Sequence, residues 1–165
     1  MSDSLDDLAD PVEAVRTATT LPDLLRTAAR ELVQVAGAEA CAISRVVGDV
    51  LIEVFEFSLD DRSLVLGHGY LIPDFPLTQD ALEDGSPRTA SLLVADGDPS
   101  EANLLRELRF DSLLMVPLEC DGSPWGLAEI YVNGREFTPD EVARAQALAE
   151  VVGVRLEELP APGSA

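Results

Sequence analysis

Apolar residues along this chain follow two rhythms, one helical and one extended. In the helical register, Leu21, Leu24, Leu25, Ala28, Leu32 and Val35 form one stripe, and Gly37 behind them offers a left-handed stop. Helix starts are marked by their own chemistry. Asp10–Pro11–Val12–Glu13 reads as an N-cap, a proline at the first helical position and a carboxylate three residues after the cap. Asp98–Pro99–Ser100–Glu101 repeats the arrangement, Thr138–Pro139–Asp140–Glu141 uses threonine as cap, and Thr20–Leu21–Pro22–Asp23 is a weaker version. These signals predict helices at about 11–19, 21–36, 99–108 and 138–158, with a short one at about 78–84 closed by Gly85.

Between the helices the spacing turns extended. Residues 39–47 and 50–58 are rich in Val, Ile, Leu and Phe, with Gly48–Asp49 as a two-residue turn. A second hairpin joins Ser112–Cys120 to Pro124–Asn133 through Asp121–Gly122, where both turn residues must tolerate positive φ. Residues 69–73 and 88–94 are weaker strands. The order helix, helix, hairpin, mixed segment, hairpin, helix predicts an α+β domain with a mainly antiparallel sheet and helices packed on its faces. Residues 10–159 form that domain, 1–9 a tail or helix extension, and 160–165 a C-terminal tail.

The 165 residues suit one core, and a hydrophobic fraction of 47% argues against disorder. Eleven basic residues against 31 acidic ones give a formal charge of −20, which repels phosphate backbones and anionic lipid, so neither nucleic acid nor membrane is expected as a partner. The start lacks a basic region and an apolar segment, and cytoplasmic is the default location. Cys41 and Cys120 sit in apolar runs and read as buried reduced thiols, and with His68 as the single histidine no metal site is expected.

Particular residues in this order resemble the GAF domain family. They are Leu24 to Ala38 leading into the first strand, Gly85–Ser86–Pro87 before a strand, and Asp98–Pro99 opening a helix. Phe110 to Leu118 follows, then Gly126 in the last strand, and Phe137–Thr138–Pro139–Asp140–Glu141 opening the terminal helix. The match covers about residues 20–158 and rests on order and spacing. It implies a GAF/PAS-like, six-stranded antiparallel sheet, with the first, second and last helices on one face. Shorter helices and loops would close a ligand pocket over the other. Such domains act as sensors or dimerising regulators, and the fold does not choose the ligand.

The sharper chemistries known in that family fit this sequence poorly. Cyclic-nucleotide binders can carry an Asn-Lys, Phe, Asp-Glu signature, but Asn133 precedes Gly134, and Phe137 with Asp140–Glu141 reads as a capping box. A covalent bilin wants a cysteine, commonly beside a histidine, and neither cysteine neighbours His68. Gly67–His68–Gly69 reads as an exposed turn rather than a haem ligand. A methionine sulfoxide reductase needs an accessible thiolate with a resolving partner, and the family's Gly-His-Ile-Ala-Cys-like segment is missing. The chain has no lysine, no glycine-rich phosphate loop and no evident base beside a nucleophile, so no catalytic residue and no cofactor is assigned.

Strand parity gives a positive clue. Gly126, Ala128, Ile130 and Val132 share one face, with Trp125, Leu127, Glu129 and Tyr131 on the other. Ala40, Ala42, Ser44 and Val46 oppose Cys41, Ile43, Arg45 and Val47, and the small-residue faces are assigned to the helices. A ligand is then expected over Arg45, Glu129 and Tyr131, with Phe75, Leu105, Phe110 and Ser112 around it. The plainer alternative has Arg45 and Glu129 neutralising each other across adjacent strands. A core filled by Phe55, Phe57, Phe110 and Tyr131 would leave no room for any ligand.

On the terminal helix, Val142, Ala145, Ala149, Val152 and Leu156 alternate at spacings of three and four, while Leu148 and Val151 form a second row. If the second row faces the sheet, the seam faces a partner, and a homodimer through the terminal helices is expected. Leu5, Leu8, Val12 and Val15 share that spacing at the other end. The sequence reads as a non-catalytic sensory or regulatory domain that binds a small molecule, a signalling protein or both. A ligand-free dimerisation scaffold is the alternative, with a thiol-dependent reductase behind it. A complete chain would signal through a partner or its dimer, whereas a longer one would extend the last helix as a linker.

Overall fold

The structure is a computed structural model that describes residues 8–60, 64, 69–94 and 99–159. Among the described residues two helices come first, α1 (Ala9–Arg16) and α2 (Leu21–Val35), followed by β1 (Ala40–Val47), β2 (Val50–Ser58) and β3 (Gly69–Leu71). A single 3₁₀ turn, Ile72–Asp74, leads into α3 (Pro76–Asp84), β4 (Arg88–Ser91) and α4 (Pro99–Leu108). The hairpin β5 (Ser112–Cys120) and β6 (Ser123–Val132) and the long helix α5 (Pro139–Glu158) complete the fold. The six strands form one antiparallel sheet in the order β3-β2-β1-β6-β5-β4.

Side-chain caps open α2 and α5. Thr20 accepts the Asp23 amide at 3.2 Å, and Thr138 with Glu141 makes both halves of a capping box at 3.2 and 2.9 Å. Asp121 and Gly122 turn the β5–β6 hairpin with φ of 54° and 76°. The first helix departs from expectation. It begins at Ala9 after Leu8, so Asp10 lies inside the first turn as an acid facing the helix dipole instead of capping it. Asp98 and Leu5 lie outside the described residues.

Helices α1, α2 and α5 cover one face of the sheet, over Cys41, Ile43, Leu114, Val116, Leu118, Ala128 and Ile130. Arginines close their loose ends. Arg144 donates to the Val35 carbonyl at 2.8 Å, Arg135 to Gly37 at 2.7 Å and Ala36 at 3.3 Å, and Arg155 to Ala18 at 2.7 Å and 2.9 Å. These carbonyls have no partner within their own helix, and a cation is favourable at that end. Burial opposes the charge on Glu141, but hydrogen bonds from Arg135 and Thr138 hold its pKa below the ordinary value.

The seam expected at a dimer contact belongs to this core. Ala145, Ala149 and Val152 are buried by their own chain, with Leu148 beside them, while Val142 and Leu156 are half-buried against the same cluster. The sheet face needs covering along the whole helix, so the seam and Leu148 turn toward it, while Val151 is only half-buried at the flank. Gly153 brings α5 against the sheet, since a Cβ there would lie 2.3 Å from the Glu119 carbonyl oxygen. Leu8 and Val15 are likewise buried.

The sheet centre has a similar constraint. Gly126 pairs with Arg45, and a Cβ at Gly126 would lie 2.1 Å from the Ser44 carbonyl oxygen. Gly126→Ala therefore forces β1 and β6 apart at the middle of the sheet. It should cost at least the upper part of the roughly 1–3 kcal/mol typical of overpacking. Thermal melting checks this, and a change below about 2 °C, where about 2–4 °C per kcal/mol is usual, would contradict the tight pairing.

Candidate functional site

The opposite face is covered by α3, α4 and the 3₁₀ turn, which roof a second apolar cluster that includes Leu51, Leu105, Phe110, Leu113, Met115 and Tyr131. Its floor is set by register. Ala40 pairs with Tyr131, Ala42 with Glu129 and Ser44 with Leu127, so each small β1 side chain sits beside a larger one on β6. The parity read for β6 holds from Leu127 to Val132, but Trp125 packs on the helix side instead of with Glu129, and the parity read for β1 is reversed. Cys41, Ile43 and Arg45 lie on the helix side, and Ala40, Ala42 and Ser44 face the roof.

Arg45 therefore leaves the expected site. It is exposed, its guanidinium lies 5.1 Å from the centre of the Trp125 ring, and it cannot neutralise Glu129 from the far side of the sheet. Ser112 also faces away from the roof. Its hydroxyl donates to the Arg135 carbonyl at 2.7 Å and lies 2.8 Å from Ser91 Oγ. Phe55 and Phe57 pack on the helix side as well. A bulge opposite Ile43 and Ser44 inserts Val54, which reverses the parity of β2 beyond Glu53.

Glu129 and Tyr131 are where the sequence placed them. Ser44 Oγ donates to Glu129 Oε1 and the Tyr131 hydroxyl to Oε2, both at 3.2 Å. Burial disfavours the charge and pushes the Glu129 pKa up to about 7, with the two hydrogen bonds acting against that rise. Burial and then the nearby Glu129 raise Tyr131, and burial followed by Glu129 and Glu53 raises Tyr70. The Phe110 ring stacks on Tyr131 at 5.2 Å, and Leu105 is buried in the roof.

Against Glu129 lies a small cavity of ≈ 10 Å³, room for about one water molecule. Leu51 forms part of its floor, and Thr78, Glu101 and Leu104 come from the roof. Tyr70, Ile72 and the expected Phe75 line its half-buried edge, with the Tyr70 and Phe75 rings edge to face at 5.5 Å. Thr78 donates to Glu101 at 2.9 Å, so the carboxylate read from sequence as part of a capping box lies at the cavity wall. Glu53, on the same sheet face opposite Ser44, is also buried. A carboxylate inside the apolar run 50–58 was the available signal for Glu53, whereas Thr78 and Tyr70 carried none.

A helical layer on one face and a roofed polar cavity on the other, across an antiparallel 3-2-1-6-5-4 sheet, define an α+β domain of the GAF/PAS-like class. The GAF domain pattern matches residues 20–156, and the chain belongs to the GAF domain family. Among solved structures, it superposes on a chromophore-binding domain of a Stigmatella aurantiaca bacteriophytochrome with TM-score 0.79 at 15% identity, covering 93% of this chain and 60% of that one. The chromophore-binding domain of a bacteriophytochrome from R. palustris gives 0.80 at 13% identity, with 96% and 62% covered. A far-red absorbing dark-state structure with bound biliverdin gives 0.77 at 16%, with 92% and 97% covered. The chain thus spans about 60% of the bacteriophytochrome fragments and nearly all of the last neighbour. Among curated proteins, none matches at the level of sequence. No described helix is long and apolar enough to cross a membrane, and no group of three or more metal-ligating side chains occurs among the described residues.

Glu129 makes stability depend on pH. Its pKa is 4.5 in the ordinary state and about 7 when folded. Below pH 4.5 folded and unfolded chains both hold this proton and its contribution is complete. Between 4.5 and 7 only the folded chain does, so stability falls as pH rises, by up to roughly 3 kcal/mol at 1.36 kcal/mol per unit. Glu129→Gln should remove that fall, and chemical denaturation of both proteins between pH 5 and 8 measures the difference. Parallel curves would place the titration elsewhere.

Proposed function

We propose that this chain is a non-catalytic sensory domain that binds a small molecule between the floor of Leu51 and Glu129 and the roof of α3 and α4. One observation carries the reading: the buried Glu129, held by Ser44 and Tyr131, borders a small half-open cavity with an aromatic edge. Convergent polar groups in an otherwise apolar pocket are what fixes a ligand's orientation. The bacteriophytochrome neighbours are chromophore-binding domains, and the biliverdin complex shares the fold. A linear tetrapyrrole suits this chain poorly, because its cavity is ≈ 10 Å³ and Cys41 lies beneath the sheet.

The same small volume favours a second reading, a ligand-free scaffold whose pocket is packed by Phe110 and Tyr131. Thermal melting against a library of small metabolites separates the two. A ligand at 100 times its Kd stabilises by about 2.7 kcal/mol, a rise of roughly 5–10 °C for a domain of this size. Leu51→Phe, which enlarges a side chain lining the cavity, should abolish that rise. A silent library, with Leu51→Phe more stable than the parent, would establish the scaffold.

For assembly, we infer pairing of two copies through the outward side of α5. Ala147, Val151 and the exposed Val154 line a groove there with Arg16, Glu150, Arg155 and Glu158. Its mixed charge lets the groove meet its own copy despite the net −20. Val154→Glu should give a folded monomer, whereas Val152→Glu should unfold the chain by placing a carboxylate in the core. Sedimentation with circular dichroism reads both, and a Val154→Glu protein that sediments as the parent does removes this interface.

A further inference from the structure

The cavity has a chemical bias that narrows its ligand. Two of its walls are carboxylates, Glu129 and Glu101, and its edge is the Tyr70–Phe75 ring pair. Leu51, Ile72 and Leu104 supply the apolar remainder, and no basic side chain lines it among the described residues. An anion entering here would meet acceptors like itself in a low-dielectric space.

We propose that the ligand, on the sensory reading above, is a small organic cation whose ammonium head sits against the Glu129 carboxylate and whose carbon atoms contact Tyr70 and Phe75. An ionised carboxylate has about four lone-pair positions, and Ser44 and Tyr131 use one on each oxygen, which leaves acceptor capacity for a ligand N–H or a polarised N–CH₃. Ring faces attract the same charge, most strongly where water is excluded. A metal ion is the poorer candidate, because the described residues hold no ligating group of three His, Cys, Asp or Glu side chains. The net charge of −20 also enriches cations around the whole surface. A cavity of ≈ 10 Å³ holds no such cation as it stands, so binding requires the half-buried edge of Tyr70, Ile72 and Phe75 to move outward.

The groups facing Glu129 are Tyr131 and Leu127 on its own strand, Ser44 on β1, Glu53 on β2, Tyr70 on β3 and Glu101 on α4. Glu129 titrates closest to neutrality among those with a resolved shift, so a cation that needs its charge binds with a proton released. Affinity should then tighten about tenfold per pH unit as pH rises toward 7 and level off above it.

Calorimetric titration of the whole chain with methylammonium and tetramethylammonium chloride, at fixed ionic strength, tests this. Saturable binding is expected for at least one of them, at least tenfold weaker in Glu129→Gln and in Tyr70→Leu, with the stated pH profile in the parent. Tyr70→Leu sits at the half-buried edge and keeps the test open if Glu129→Gln fails to fold. Absence of binding by both probes, or affinity equal at pH 5 and 8, overturns the proposal. If the metabolite library yields a neutral or anionic ligand at this cavity, the cation assignment falls while the sensory reading stands. If the library and both probes are silent, both fall.

Discussion

The pairing of β1 with β6 holds this molecule together. These strands lie at the middle of the sheet, 85 residues apart at the Ser44–Glu129 contact, and they join the N-terminal hairpin to the C-terminal one. Backbones approach so closely at Ser44 and Gly126 that only glycine fits. From this register follow both faces. Cys41 and Ile43 meet the helices beside Ile130 and Ala128, while Ala42 and Ser44 open the floor beside Glu129. A slip of one residue would exchange the core and the cavity.

Charge is divided according to the two layers. The helical side uses Arg135, Arg144 and Arg155 to close helix ends and the inter-helix turns, which ties α5 to α1 and α2 across about 100 or more residues of chain. The cavity side gathers carboxylates, with Glu53 and Glu129 buried on the sheet face and Glu101 buried in the roof. Burying Glu129 costs stability above neutral pH, and a packed apolar replacement would avoid that cost. Such a local sacrifice is what a binding site commonly imposes, which is why Glu129 anchors the proposed ligand.

The two layers also differ in how firmly they are filled. Beneath α5 the packing is so close that Gly153 touches the Glu119 backbone, and the helix offers its apolar seam inward. Above the other face, short helices and a three-residue strand cover the floor, and the edge at Tyr70 and Phe75 is half-open. Elements with fewer buried contacts open at lower free energy than a core helix does. A ligand that displaces this edge would reach the sheet centre and, through β1 and β6, the residues on which α5 rests.

Local chemistry made the architecture legible. The Thr20 and Thr138 caps, the prolines behind them and the Asp121–Gly122 turn each act within four residues, so the sequence alone determined the helices, both hairpins and the family. Of the expected ligand residues, Glu129 and Phe75 line the cavity and β6 parity put Glu129 on the right face, while Tyr131, Leu105 and Phe110 pack in the apolar cluster beside it. Tertiary structure decided the rest. Which face of β1 joins which face of β6 is a register between strands distant in sequence, and it sent Arg45 to the helix side. A one-residue bulge at Val54 then reversed Phe55 and Phe57. The stripe on α5 satisfies a dimer seam and a core equally well as a pattern, and only the area of sheet waiting to be covered assigned Ala145, Ala149 and Val152 to the interior.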